Sequence, residues 1–108
     1  MRIVIDLQSC QNGSRHRGIG RYAMSLTKEM ITVGKEHEFL IFLTDRFPGS
    51  VDYVRRELAG FLPQASIYVC SLTDDVAAAS PDNAWRTRAA EILRTAFITR
   101  LEPDMVFI

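Results

Sequence analysis

Four short apolar, β-branched runs, set apart by longer stretches of helical period, constrain this chain more than any other feature. The runs are RIVIDL at 2–7, HEFLIFLT at 37–44, ASIYVCS at 65–71 and DMVFI from Asp104 onward. Runs of this length and composition read as strands buried on both faces. After the first, Ile19, Ala23, Leu26, Met30 and Val33 recur at helical spacing, which predicts an amphipathic helix from Ile19 with Gly34 as its C-cap. After the second, Ser50 is the expected N-cap of a helix over 51–60, with Val51, Val54, Leu58 and Phe61 on its apolar face. A long helix over about 82–101 follows the third, with Trp85, Ala89, Ile92, Ala96 and Phe97 inward and Pro103 as its stop. The order β-α-β-α-β-α-β demands parallel pairing and right-handed crossovers. The predicted fold class is therefore α/β: a doubly wound, Rossmann-like parallel sheet with helices on both faces. Ligands of such sheets sit beyond the carboxyl ends of the strands.

At 108 residues the chain fits a single domain. Lys plus Arg equals Asp plus Glu at 13 each, so no bulk field points to nucleic acid. Cys10 and Cys70 are the two cysteines, expected as reduced thiols, and with His16 and His37 they fall short of a metal site. No cofactor is predicted. The opening MRIVIDLQSC is too short in its apolar run, and too interrupted by Asp6, for a signal peptide. A cytoplasmic protein is expected. Ile108 falls inside an apolar strand, so the chain is read as the truncated amino-terminal domain, residues 1–108, of something longer.

The first strand leads to QNGSRHRGIGRY at 11–22, which sets three glycines and three arginines between the first strand and the first helix. Gly18, Gly20 and Ala23 match G-x-G-x-x-G/A in the required strand-to-helix setting. Amide donors at a helix start attract anions, glycine permits close approach, and Arg15, Arg17 and Arg21 add charge-assisted donors. Ten residues separate Leu7 from Gly18, however, whereas a dinucleotide fingerprint sits tightly on its strand. Asp45, 27 residues past Gly18, would have to serve as the ribose acid. The alternative to a binding loop is a set of turn glycines with a solvated arginine rim.

RIVIDLQ, RGIGRYAMSL and AAEILRTAFITRLEPDMVFI together resemble the start of glycosyltransferase family 4. Within it they are most similar to bacterial surface-polysaccharide mannosyltransferases. The resemblance implies two facing Rossmann-like domains, of which this chain is the acceptor side. It implies hexose transfer from a nucleotide-sugar, GDP-mannose among the donors, to a glycan or lipid-linked acceptor, in work such as lipopolysaccharide synthesis. Gly13, Gly18 and Gly20, with Arg17 and Arg21, carry over as donor-phosphate contacts. The family's pair of glutamates eight residues apart is absent, since His37 follows Glu29 and Thr99 follows Glu91 at that spacing. The missing carboxyl-terminal domain would supply them, and the fragment alone is expected to be inactive.

Of the other residues, His16 is either a ligand contact or solvated, and His37 is structural. Asp74 and Asp75 either bond acceptor hydroxyls or form a solvated acidic turn. Arg86, Arg88, Arg94 and Arg100 read as exposed charges, some of them facing acidic membrane lipid at the inner face of the membrane. Two functions of other classes compete: a nucleotide-binding oxidoreductase domain using Gly18, Gly20 and Asp45, and a non-catalytic α/β interaction module.

Overall fold

The computed structural model describes residues 1–11, 18–45, 48–71 and 84–107. Among the described residues seven elements alternate: β1 (Arg2–Asp6), α1 (Gly18–Val33), β2 (Glu38–Thr44), α2 (Pro48–Glu57), β3 (Ile67–Cys70), α3 (Ala84–Arg100) and β4 (Met105–Phe107). Single 3₁₀ turns at Gln8–Cys10 and Gln64–Ser66 precede α1 and β3. The strands form one parallel sheet in the order β3-β2-β1-β4, with Ile5 paired to Ile41 on one side and to Phe107 on the other. This is the doubly wound, Rossmann-like α/β architecture that the alternation predicts.

Strand pleat sends alternate residues to opposite faces. Ile3, Ile5, Leu7, Ile41, Leu43 and Ile67 pack with Met24 and Ile31 of α1 and with Val54 and Leu58 behind them. Val4, Leu40, Phe42 and Cys70 face the other way, toward Phe97, Ile98 and Leu101 at the end of α3. Phe42 is fully buried, with the Phe97 ring centroid 5.4 Å away. Helices therefore cover both faces.

Several expected faces are rotated. The buried stripe of α1 is Gly20, Met24, Thr27 and Ile31, whereas Ile19 and Val33 are 70% and 75% exposed and Leu26 is exposed too. Both stripes have helical spacing; the buried one escapes a hydropathy reading because it contains a glycine and a threonine. Thr27 tolerates burial because its hydroxyl donates to the Ala23 carbonyl at 2.7 Å. α2 begins at Pro48 rather than at residue 51, with proline suited to the first helical position. Ser50 is thus a buried residue inside the helix and not its N-cap, and Phe61 is exposed. On α3, Phe97 packs as expected, but Ile92 and Ala96 are exposed, and the inward side runs through Phe97, Ile98 and Leu101. The side chain of Trp85 lies outside the description.

Gly34 follows α1 and donates to the Met30 carbonyl at 2.9 Å, without the left-handed conformation of a glycine cap. α3 ends on such a residue, though a non-glycine one: Glu102 has φ 52°, its N–H donating to the Thr99 carbonyl, and Pro103 prevents continuation.

Candidate functional site at the carboxyl edge

β1 connects to β2 on one side, while β4 returns to the other side of β1. The order therefore reverses between β1 and β4. A crevice forms outside the carboxyl ends of strands at such a switch point. Each helix follows a strand, so α1, α2 and α3 all begin at this edge.

Asp6, the last residue of β1, stands there. It pairs with Phe42 of β2 on one side and lies one residue past the Ile5–Phe107 pair on the other. Its side chain is 3% exposed and points to the α3 face. One carboxylate oxygen accepts the Gln8 backbone N–H at 3.0 Å; the other accepts Gln8 Nε2 at 3.1 Å and Arg94 Nη1 at 3.0 Å. Burial pushes the Asp6 carboxyl above the ordinary aspartate range, while the Gln8 amide and the Arg94 guanidinium pull it back. Arg94, read from sequence as an exposed charge, is thus half-buried and engaged.

The base of the glycine-bearing segment is tied down by Gln11. It is buried, donates through Nε2 to the Thr44 carbonyl at 2.7 Å and to Ser50 Oγ at 3.1 Å, and accepts the Thr44 N–H at 3.0 Å. One amide side chain thereby caps both backbone groups at the end of β2 and fastens α2 to the same point. Cys10, also buried, lies with Sγ 3.5 Å from the Gly20 carbonyl oxygen.

Gly18 is the first residue of α1 and is exposed, with nothing within 4 Å of the position a Cβ would take. Gly20, two residues on, is buried on the face that meets Cys10. The two glycines therefore differ: Gly20 is buried in packing, and no neighbour among the described residues accounts for Gly18. Arg21 is exposed on the same turn. Gly13, His16, Arg17 and Asp74 lie outside the described residues. None of the three helices carries an acid in its first turn, where the helix dipole favours one, so the positive ends at this edge are not offset there.

Beside the switch point, an apolar groove of about 250 Å³ runs between α1 and the sheet edge, lined by Leu7, Ile19, Tyr22, Leu26, Met30 and Phe107. Among the described residues no group of three or more His, Cys, Asp or Glu could hold a metal ion, and no helix is long and apolar enough to cross a membrane. Cys10 and Cys70 form no disulfide; burial, with Asp45 nearby, pushes the Cys70 thiol up.

Comparison with known proteins gives a relative named for its chemistry. The chain aligns over 109 positions, at 28% identity, with the serotype-specific mannosyltransferase WbdA of Escherichia coli. The alignment takes in all of this chain and 13% of that protein. Along its whole length the chain is similar to a glycosyltransferase. No family model matches, and no solved structure matches.

Sequence reading named Gly18, Gly20 and Arg21, which lie at this edge, and gave no role to Asp6, Gln8 or Gln11, while it read Arg94 as an exposed charge. Asp6 carried a signal, being an acid at the carboxyl end of an otherwise apolar strand. Gln11 and Arg94 carried none, because each gains its role from a partner more than 30 residues away.

Proposed function

We propose that this chain is the amino-terminal, acceptor-side part of a glycosyltransferase of family 4 that moves a hexose from a nucleotide-sugar to a glycan or lipid-linked acceptor in surface-polysaccharide synthesis. The similarity to a mannosyltransferase along the entire chain carries the reading. It makes GDP-mannose the first donor to test. The chain spans about an eighth of that relative's length, 13%, and the donor-binding carboxyl-terminal domain is assigned to polypeptide outside these 108 residues.

The physical arrangement agrees with that assignment. An exposed, unhindered Gly18 opens α1 at the carboxyl edge, and amide donors of a first helical turn have no intrahelical partners. A donor phosphate brought across a cleft can approach that backbone closely, with Arg17 and Arg21 as charge-assisted donors and Gly13 on the preceding segment. Gly20 contributes through packing, which holds the helix start in place. His16 and Asp74 are assigned to the acceptor side. On the opposite flank, Met105, Val106 and Phe107 are each about 40% exposed on edge strand β4, as suits a sheet that a further strand of the same domain would extend. The protein is assigned to the cytoplasmic side of the membrane, with peripheral contact where its acceptor is lipid-linked.

The test is hexose transfer by the full-length protein, assayed with GDP-mannose and other nucleotide-hexoses against a polyprenyl-pyrophosphate-linked glycan. Transfer from at least one donor is expected. A folded protein that transfers none, yet binds a nicotinamide dinucleotide, would restore the oxidoreductase alternative.

A further inference from the structure

Arg94 is held in a way that solvent exposure does not explain. Its Nη1 donates to a carboxylate that is 3% exposed, while the arginine itself is 34% exposed. Asp6 is already served by two Gln8 donors, so the carboxylate is not short of partners without the guanidinium. Among the described residues, Nη1 is the one atom of the fork that is engaged. A guanidinium is planar, always charged and donor-only, so fixing one nitrogen aims the remaining N–H groups in a set direction.

The course of α3 fixes where Arg94 sits. Arg2 Nη1 donates to the Leu101 carbonyl at the amino end of β1, and Arg94 meets Asp6 at its carboxyl end, so α3 runs antiparallel to β1. Residues before Arg94 must then extend past the strand ends. Ten residues at 1.5 Å each carry α3 roughly 15 Å beyond Asp6. Arg94 thus lies where α3 leaves the sheet, at the β1–β4 switch point, with the projecting part of α3 beside it.

We propose that Arg94 is a ligand-binding residue of this crevice, presenting its uncommitted N–H donors to a phosphate-type oxygen, and that Asp6 is the residue that positions it. The proposal rests on the glycosyl-transfer reading for the source of the phosphate. Two sources share the chemistry, the pyrophosphate of a nucleotide-sugar and the phosphate of a lipid-linked acceptor.

The test is made in the full-length protein with inorganic pyrophosphate as probe, titrated by calorimetry into wild type, Arg94→Gln and the double variant Asp6→Asn/Arg94→Gln. The double variant replaces the ion pair by two neutral amides, so it guards against loss of fold from a buried charge left without its counter-charge. At least a tenfold loss of pyrophosphate affinity is expected in whichever variant retains the wild-type melting temperature. Affinity within twofold of wild type in that folded variant overturns the proposal. Steady-state kinetics then separate the sources: a tenfold rise in KM for nucleotide-sugar at unchanged kcat assigns the donor, and the same rise for the lipid-linked substrate assigns the acceptor. Arg94→Lys should recover part of the loss, since charge is kept and the planar fork is not. Unchanged KM for both substrates overturns the proposal while leaving the transferase reading intact. Lost pyrophosphate binding in a protein that transfers no sugar leaves Arg94 assigned and removes that reading instead.

Discussion

Single residues at the carboxyl edge show how little of this site is separable from the fold. Gln11 satisfies both backbone groups of Thr44 and the Ser50 hydroxyl from a buried position. Gln11→Ala would take that partner from both buried Thr44 backbone groups, and stability should fall by roughly 1–3 kcal/mol, read from denaturant unfolding. Asp6 makes a prediction about pH. Because burial raises its carboxyl in the folded chain, the native state binds that proton more readily than the unfolded state does. The group therefore favours folding below its unfolded pKa, and this contribution is lost as pH rises through the folded pKa. Wild type should lose stability relative to Asp6→Asn as pH climbs from the ordinary aspartate range toward neutrality. A difference between the two that stays constant with pH would show that Asp6 titrates normally.

Elements carry a second class of expectation, set by how helices end. Glu102 holds φ 52° after α3, a conformation that costs a side-chain-bearing residue about 1 kcal/mol and glycine almost nothing. Glu102→Gly should raise the melting temperature by a few degrees, consistent with roughly 1 kcal/mol. Gly34, after α1, is the opposite case. A Cβ there would stand 2.9 Å from the Met30 carbonyl oxygen and 3.1 Å from Phe39 Cζ. Gly34→Ala should destabilise by about 1–3 kcal/mol, measured the same way. The elements themselves were legible because strands and helices differ in period, and four apolar runs interrupted by 3.6-residue patterns admit few foldings. Their orientation was less so. On α1 the stripe through Ile19, Leu26 and Val33 is the more apolar, yet Gly20, Met24, Thr27 and Ile31 face the sheet. Close approach to the turn at Gln8–Cys10 favours the small residue, and Thr27 bonds its own helix, so hydropathy alone set the face off-centre, with Ala23 and Met30 still packed against the core.

At the scale of the molecule, alternation of elements foretold parallel pairing and two helical layers but left open which edge receives β4. Its place beside β1 creates the switch point and brings Arg94 to Asp6 across 88 positions of sequence. No local pattern encodes that meeting, which is why the strand-to-helix glycine segment was legible as a motif and the ion pair was not. The same placement separates two glycines that look equivalent in RGIGRY. Gly20 is committed to packing, so a bulky residue there tests the fold. A Cβ at Gly18 would meet nothing within 4 Å among the described residues, so a bulky residue there tests what approaches the start of α1. The most direct measurement is therefore hexose transfer from GDP-mannose by the full-length protein carrying Gly18→Leu, with melting temperature recorded alongside. The account predicts an unchanged melting temperature and turnover reduced at least tenfold. Turnover equal to wild type, in an equally stable protein, would contradict the claim that substrate phosphate approaches the start of α1.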